Sequence, residues 1–403
     1  MVKFAHLADC HIGSWSDEKL KQLNMQSFKL AIEVCIREKV SFIIIAGDLF
    51  NTALPAIDLV KETTSELKKL STLNIQVYII PGSHDFSPSG KTMLDVLEKA
   101  GLCINVFKLN NNKLEITKDS SGVKLTGILG LSAGLDKELY KKIDFSLAES
   151  EPGYKIFLLH TTIDEFKPRT MESVHGEPLS SLPRNFNYYA AGHVHYLFDK
   201  EINNGLLVYP GPTFPNNFKE LEDLHHGNMC IIENGNMERV PLKLKDVNSY
   251  FFDINNKSPT HVQEEIISEI KNFKDKIILM RLEGVLSHGT LADVDFKKLA
   301  KHFEQAYCIL KNTSKVTSKE FQEIAIEQGN VEDIENNIIS EHIKENKNPV
   351  NFSLSQEELF THFMNVFDDE KQDGERIYDF ESRLEKNAIK KLSLEKIWGE
   401  NAD

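Results

Sequence analysis

Residues Lys3-Phe4-Ala5-His6-Leu7-Ala8 run straight into Asp9-Cys10-His11, and four later segments repeat that pattern. Phe42-Ile43-Ile44-Ile45-Ala46 is followed by Gly47-Asp48, and Val77-Tyr78-Ile79-Ile80-Pro81 by Gly82-Ser83-His84-Asp85. Lys155-Ile156-Phe157-Leu158-Leu159 closes on His160, and Tyr188-Tyr189-Ala190-Ala191 leads to Gly192-His193-Val194-His195. Short apolar runs bounded by turn residues read as buried strands. Open α/β sheets place their sites at the carboxyl ends of strands. Five separate segments therefore deliver Asp and His side chains to one rim, and the pattern predicts a metal-dependent hydrolase.

The residue types suit that chemistry. Asp9 and His11 are two apart, so one loop can aim both inward. Asp48 follows a glycine that permits close approach, and its two carboxylate oxygens suit a bridge between two ions. His160, His193 and His195 complete a mixed His/Asp set, which favours manganese, iron or zinc over magnesium or calcium. His84, with Asp85 beside it, is the candidate acid, because an imidazole can protonate a leaving alkoxide. The remaining histidines are assigned packing or surface positions, His6 in the first strand included.

Residues 1 to 245 alternate strand and helix patterns, the mark of an α/β domain. Helices are expected over Asp17–Lys39, Ala56–Leu70 and Gly90–Ala100, with a hairpin or loop at Asn110–Asp119. Further strands are expected at Lys124–Leu131 and Leu206–Val208, and a hairpin turning at Asn234-Gly235. A second unit, 246 to 316, reads as a βαβαβ α+β domain. Its strands are expected at Tyr250–Ile254, Lys276–Leu282 and Ala306–Leu310, with helices at Thr260–Asn272 and Ala292–Glu304 between them. Residues 317 to 403 read as helical and acidic. Apolar spacing there marks Val331–Ile343, Ser355–Val366 and Leu384–Trp398.

The chain has 403 residues and a formal net charge of −14. From Asn330 to Asp403 there are 18 acidic and 9 basic side chains, so the other residues together carry only −5. The acidity is that of the tail, either a solvated face or a partner-binding arm, and it does not exclude nucleic acid as a partner of the rest. The five cysteines are scattered and include no C-x-x-C pair, which argues against a disulfide framework and a zinc–thiolate site. No apolar stretch is long enough to span a bilayer, and a strand begins at once. A cytoplasmic protein with no membrane association is the expectation.

The order Asp9-x-His11, Gly47-Asp48, Ser83-His84-Asp85, His160 and Gly192-His193-x-His195 resembles the signature of calcineurin-like metallophosphoesterases. Residues 1–13, 46–50, 188–195 and 209–211 further resemble one branch, the SbcD / meiotic recombination eleven DNA repair nucleases. That resemblance implies a four-layer α/β/β/α sandwich with a small α+β DNA-capping domain and a helical C-terminal region. It implies two Mn2+ ions, one held by Asp9, His11, Asp48 and His195, the other by Asp48, Ser83, His160 and His193, with His84 assisting the leaving group. It also implies a homodimer, DNA as substrate, and a coiled-coil SMC-like ATPase of the SbcC / Rad-fifty type as partner, docked on the acidic tail. The chain departs from the family pattern twice. Ser83 stands where the family usually has Asn, and Asn51 where some members have His. A serine hydroxyl is shorter and neutral, so the second ion site is expected to be weaker. Two other readings fit the same metal core: a phosphoesterase with a non-DNA substrate, and a structural repair subunit with a weakened second site.

Overall fold

The side each apolar residue faces follows from the two-residue period of a strand. In β1 (Lys3–Leu7), Ala5 and Leu7 enter one core while Phe4, and Ala8 just beyond, enter another. In β2 (Phe42–Ala46), Ile43 and Ile45 join the first core, and Phe42, Ile44 and Ala46 the second. Strands covered on both faces need apolar residues throughout, which is why these runs do not alternate with polar ones. The computed structural model describes residues 2–86, 90, 92–131, 136–168, 176–319 and 377–391.

Two six-stranded sheets face each other. The first adds β3 (Gln76–Ile80), β4 (Ile104–Asn105), β13 (Gly227–Glu233) and β14 (Asn236–Leu242), in the order β14-β13-β1-β2-β3-β4. The second comprises β7 (Thr117–Lys118), β8 (Lys124–Ile128), β9 (Lys155–His160), β10 (Tyr188–Gly192), β11 (Phe198–Ile202) and β12 (Gly205–Tyr209), in the order β11-β12-β10-β9-β8-β7. Strands β1, β2 and β3 run parallel, as do β8, β9, β10 and β12, so their carboxyl ends share one rim of each sheet. Phe4, Phe42, Tyr78, Leu125, Ile156, Leu158 and Tyr188 fill the space between the sheets. Helices α1 (Glu18–Arg37), α2 (Ile57–Thr72) and α3 (Met93–Lys99) cover the outer face of the first sheet through Phe28, Ile32, Leu67, Leu70, Leu94 and Leu97. Tyr140 of α4 (Asp136–Lys142) and Ala148 of α5 (Ser146–Ser150) pack with Phe157 and Tyr189 on the outer face of the second. The architecture is the expected α/β/β/α sandwich.

A third sheet, β15-β16-β17 (Val247–Asp253, Ile277–Leu286, Cys308–Ser318), has its own core. Helices α7 (Pro259–Glu269) and α8 (Phe296–His302) bury Val262, Ile266 and Leu299 there, against Phe252, Ile278, Met280 and Leu282. The other face meets the sandwich: Ile277 and Leu279 pack with Leu20 and Leu23 of α1 and Leu221 of α6 (Phe218–Leu224). Met1–Val316 is one compact unit and Thr317–Asp403 a second.

Several boundaries differ from the sequence reading. The last strand extends to Ser318 rather than Leu310, because its outer half is half-exposed and polar and shows no apolar run. The loop at Asn110–Asp119 contains a small hairpin, β5 (Leu109–Asn110) with β6 (Lys113–Leu114). Asn111 and Asn112 form its turn at φ 50° and 63°, a conformation asparagine tolerates. Of the tail elements, Val331–Ile343 and Ser355–Val366 lie outside the described residues, and the last is represented by helix α9 (Ile377–Lys391). Among the described residues, no helix is long and apolar enough to cross a membrane.

Candidate metal centre

The five loops that leave β1, β2, β3, β9 and β10 close on one another. The first two zip together through main-chain bonds: Asp9 N–H donates to Gly47 O at 3.2 Å, His11 N–H to Asp48 O at 2.9 Å and Ile12 N–H to Leu49 O at 3.0 Å. Four of the candidate ligands hold left-handed backbone, Asp9 at φ 50°, His11 at 41°, Asp48 at 53° and His193 at 89°. Such backbone costs about 1–3 kcal/mol per residue and persists where the surroundings impose it, most often at functional sites. Two glycines admit the packing. A Cβ on Gly47 would lie 2.6 Å from His160 Cγ, and one on Gly82 would lie 2.7 Å from Asp48 Cγ.

Asp48 is the hub. Its Oδ2 lies 3.0 Å from His160 Nε2, 3.5 Å from His11 Nε2 and 3.5 Å from Ser83 Oγ. Its Oδ1 accepts the main-chain N–H of His84 at 2.8 Å. Asp9 Oδ1 accepts the N–H of His193 at 2.8 Å and lies 3.8 Å from His195 Nε2 and 3.9 Å from His160 Nδ1. The His193 ring stands 5.2 Å from that of His160. Three sets of potential ligand atoms lie within 4.8 Å of one another: Asp9, His11 and His195; Asp9, Asp48 and His160; His11, Asp48 and His84. These sets bring together five of the seven expected ligands with His84; Ser83 joins them through Asp48, and His193 borders them through the ring of His160.

The donor set fits a divalent cation on grounds of its own. Asp9 Oδ2 is buried with no hydrogen-bond partner, a costly arrangement for a carboxylate oxygen. His11 Nε2 and His195 Nε2 point at each other across 3.2 Å. With the Nδ1 proton of His195 facing Glu220, its Nε2 offers a lone pair, which either a proton on His11 Nε2 or a metal ion can satisfy. Burial holds His11 down to about 3 and His193 down to about 4, so both present neutral rings, the form that binds metal. Burial also pushes Asp9 up to about 6, against the pull of His195 and His160. These charge relations are what a cation at the centre would resolve.

Orientation comes from residues around the ligands. His160 Nδ1 donates to the Ala46 carbonyl at 2.8 Å, leaving Nε2 toward Asp48. His195 Nδ1 faces Glu220 Oε1 at 2.9 Å, leaving Nε2 toward Asp9 and His11. The exposed His84 ring is set by the Asn51 carbonyl, 3.0 Å from Nδ1; a carbonyl only accepts, so Nδ1 carries the proton. Asp85 turns away from that ring. Its buried carboxylate accepts from the main chain of Gly82 at 2.9 Å, Phe50 at 3.3 Å and Leu49 at 3.4 Å, and so ties the loop of Asp48 to the loop of Ser83 and His84. Glu220 was missed from sequence. Its local signal, Asn217 three residues before it, marks a helix start, and Asn217 does cap α6 by accepting from Glu220 N–H at 2.9 Å.

Comparison with protein families agrees with this geometry: residues 2–197 match the model described as calcineurin-like phosphoesterase, a span that holds every candidate ligand. Residues 2–197 belong to the calcineurin-like phosphoesterase family. The curated relatives of this phosphoesterase include a protein of Methanocaldococcus jannaschii named DNA double-strand break repair protein Mre11. It is 23% identical over 354 residues, 84% of this chain and 93% of that protein. A Thermoplasma acidophilum protein of the same name is 27% identical over 303 residues, 71% of this chain and 78% of its own length. The resemblance to the SbcD / meiotic recombination eleven branch is thus matched by curated relatives that carry the Mre11 name. Among solved structures, a dimetal phosphatase from Danio rerio covers 60% of this chain and 95% of its own, at 11% identity and a TM-score of 0.39.

Proposed function

We propose that this chain is a metal-dependent DNA nuclease acting in double-strand-break repair, a 3′-to-5′ exonuclease on duplex ends and an endonuclease on single strands. The observation that carries the proposal is the convergence of Asp9, His11, His160 and His195 around Asp48, with the exposed ring of His84 at the mouth, 4.8 Å from that of His11. The names of the relatives support DNA as substrate. Two Mn2+ are the proposed ions, with zinc or iron as substitutes.

Asp9, His11, Asp48 and His195 would hold one ion, and Asp48, Ser83, His160 and His193 the other. A bound pair supplies an activated water and charge stabilisation for both oxygens of an in-line phosphoryl displacement. The chain's own residues do the rest. Asn51 holds the Nδ1 proton of His84, so the acid is the doubly protonated ring, which gives its Nε2 proton to the leaving alkoxide and keeps the one on Nδ1. Asp85 holds the His84 loop against the Asp48 loop, which keeps that proton donor in register with the ligands.

The rest of the chain fits the same reading. Residues 1–245 would be the nuclease domain, 246–316 a DNA-capping domain and 317–403 the docking region for a coiled-coil SMC-like ATPase. A homodimer through α2 and α3 is part of the proposal. Leu67 and Leu97 on these helices are used in the core, but Ile57 of α2 and Val96 of α3 are exposed, with Leu54 exposed just before α2. The test is incubation with Mn2+ and end-labelled duplex and single-stranded DNA. Shortening from the 3′ end and internal cutting of single strands support the proposal. Hydrolysis of an aryl phosphodiester with both DNAs left intact refutes DNA as substrate, and inertness toward all three favours a structural subunit with Ser83 as the weak point.

A further inference from the structure

Helix α6 carries two glutamates with different partners, and each ties it to something else. Glu220 Oε1 takes the Nδ1 proton of His195 at 2.9 Å. Glu222 takes both arms of Arg281 from β16, Nε to Oε1 at 3.0 Å and Nη2 to Oε2 at 2.6 Å. The same guanidinium lies 5.2 Å over the ring of Phe218, the first residue of α6. A path of contacts therefore runs from the middle strand of the third sheet, through the body of α6, to a candidate metal ligand.

The helix cannot hold its place by itself. It has seven residues and only Leu221 is buried, so its position comes from what clamps it. Leu221 packs on Ile277 and Leu279 of the strand that carries Arg281. The segment before α6 is tied to the first ligand loop, with Ser14 Oγ–H donating to Asn216 Oδ1 at 3.0 Å and Trp15 Nε1–H to Pro215 O at 2.9 Å. Asn216 N–H in turn donates to Glu220 Oε2 at 2.8 Å. Glu220 is thus gripped at both oxygens, and the helix under it by a bidentate arginine, the ion pair with the most defined geometry.

We infer that Arg281 is a positioning residue for the metal centre: it fixes α6, α6 fixes Glu220, and Glu220 sets the tautomer and aim of His195. The inference rests on the metal-binding reading of the cluster. It makes ion affinity depend on a residue of the third sheet, outside the matched family span of residues 2–197. Partners that orient a metal-binding imidazole set its affinity without touching the ion.

The test is calorimetric titration of the full chain with Mn2+, alongside urea unfolding, for wild type, Glu220→Gln, Arg281→Met, Arg281→Lys and Lys245→Met. Lys245 pairs with Asp275 at 2.6 Å and lies over Tyr307, at the edge of the same unit and without a bond to α6, so it reports general loosening. Glu220→Gln is expected to weaken Mn2+ binding about 10- to 100-fold. Arg281→Met is expected to weaken it about 3- to 30-fold, the range for coupling through packed networks. Arg281→Lys, which retains the charge but not the fork, falls between wild type and Arg281→Met and serves if the latter does not fold. Lys245→Met binds as wild type. Wild-type affinity in both Arg281 variants overturns the inference, as does equal weakening by Lys245→Met. Wild-type protein that binds no Mn2+ overturns the metal reading itself, a distinct result.

Discussion

Replacing Gly82 with alanine tests the packing of the centre with one methyl group. Gly82 does not occupy left-handed backbone, so alanine meets no conformational barrier there and the effect is steric. The new Cβ would stand 2.7 Å from Asp48 Cγ, whereas carbon atoms rest at about 3.5–4.0 Å. The carboxyl group must retreat by roughly 1 Å, and the same Cβ also crowds the Asp48 main chain, so rotating the side chain is no escape. Overpacking of this kind costs about 1–3 kcal/mol of stability. A displacement of about 1 Å in a catalytic group lowers turnover about 100-fold. The expected protein is folded, modestly destabilised in urea, and about 100-fold slower on a chromogenic phosphodiester with Mn2+. Full turnover with unchanged metal affinity would mean that Asp48 is not the hub, and the reasoning fails.

Three further outcomes follow. Asp85→Ala leaves one amide bonded at 2.9 Å and two at 3.3–3.4 Å without their acceptor, and urea unfolding at pH 5 should show a loss of about 2–4 kcal/mol. Burial and the nearby Asp48 raise Asp85 well above the ordinary carboxyl range, so acid conditions favour its neutral form and little buried charge is relieved to mask the loss; an unchanged unfolding midpoint would contradict its role. His160 is disfavoured as a cation by burial, but Asp48 and Asp9 outweigh this and lift it to about 10 in the metal-free protein. The stability from that charge is full below the ordinary value of 6.5 and fades as pH rises through about 10, so at neutral pH the ring must lose its Nε2 proton to bind metal. Calorimetry at pH 7.5 in buffers of different ionisation enthalpy should show about one proton released per chain, and buffer-independent heats would refute this. Deleting residues 346–403 should abolish co-purification with a coiled-coil ATPase while sparing Mn2+-dependent hydrolysis, and undiminished co-purification would remove the docking role of the tail.

The sequence was most legible where a side chain's job follows from its place at a strand end. Asp9, His11, Asp48, His160, His193 and His195 all follow apolar runs, and parallel strands bring their carboxyl ends to one rim whatever the loops do. Glu220 was not legible, because it reaches His195 only through the β11–β12 hairpin and a short helix whose position depends on Arg281 in a later strand. The setting of His84 was hidden for another reason: its partner is a main-chain carbonyl, and any residue at position 51 carries one. Asp85 lies next to the cluster in sequence, but its partners are backbone amides of two loops, which no side-chain pattern records. The strand Cys308–Ser318 was read too short because its exposed half shows polar residues where a buried strand shows apolar ones.

The claim on which all of this depends is that these loops build a two-ion centre around Asp48. Anomalous diffraction from crystals grown with Mn2+ tests it most directly. The account predicts two peaks about 3.5–4 Å apart, one against Asp9, His11 and His195, the other against His160 and His193, with Asp48 between them, and neither peak in Asp48→Ala. No peak within this cluster, or a pair of peaks that survives the loss of Asp48, would contradict it.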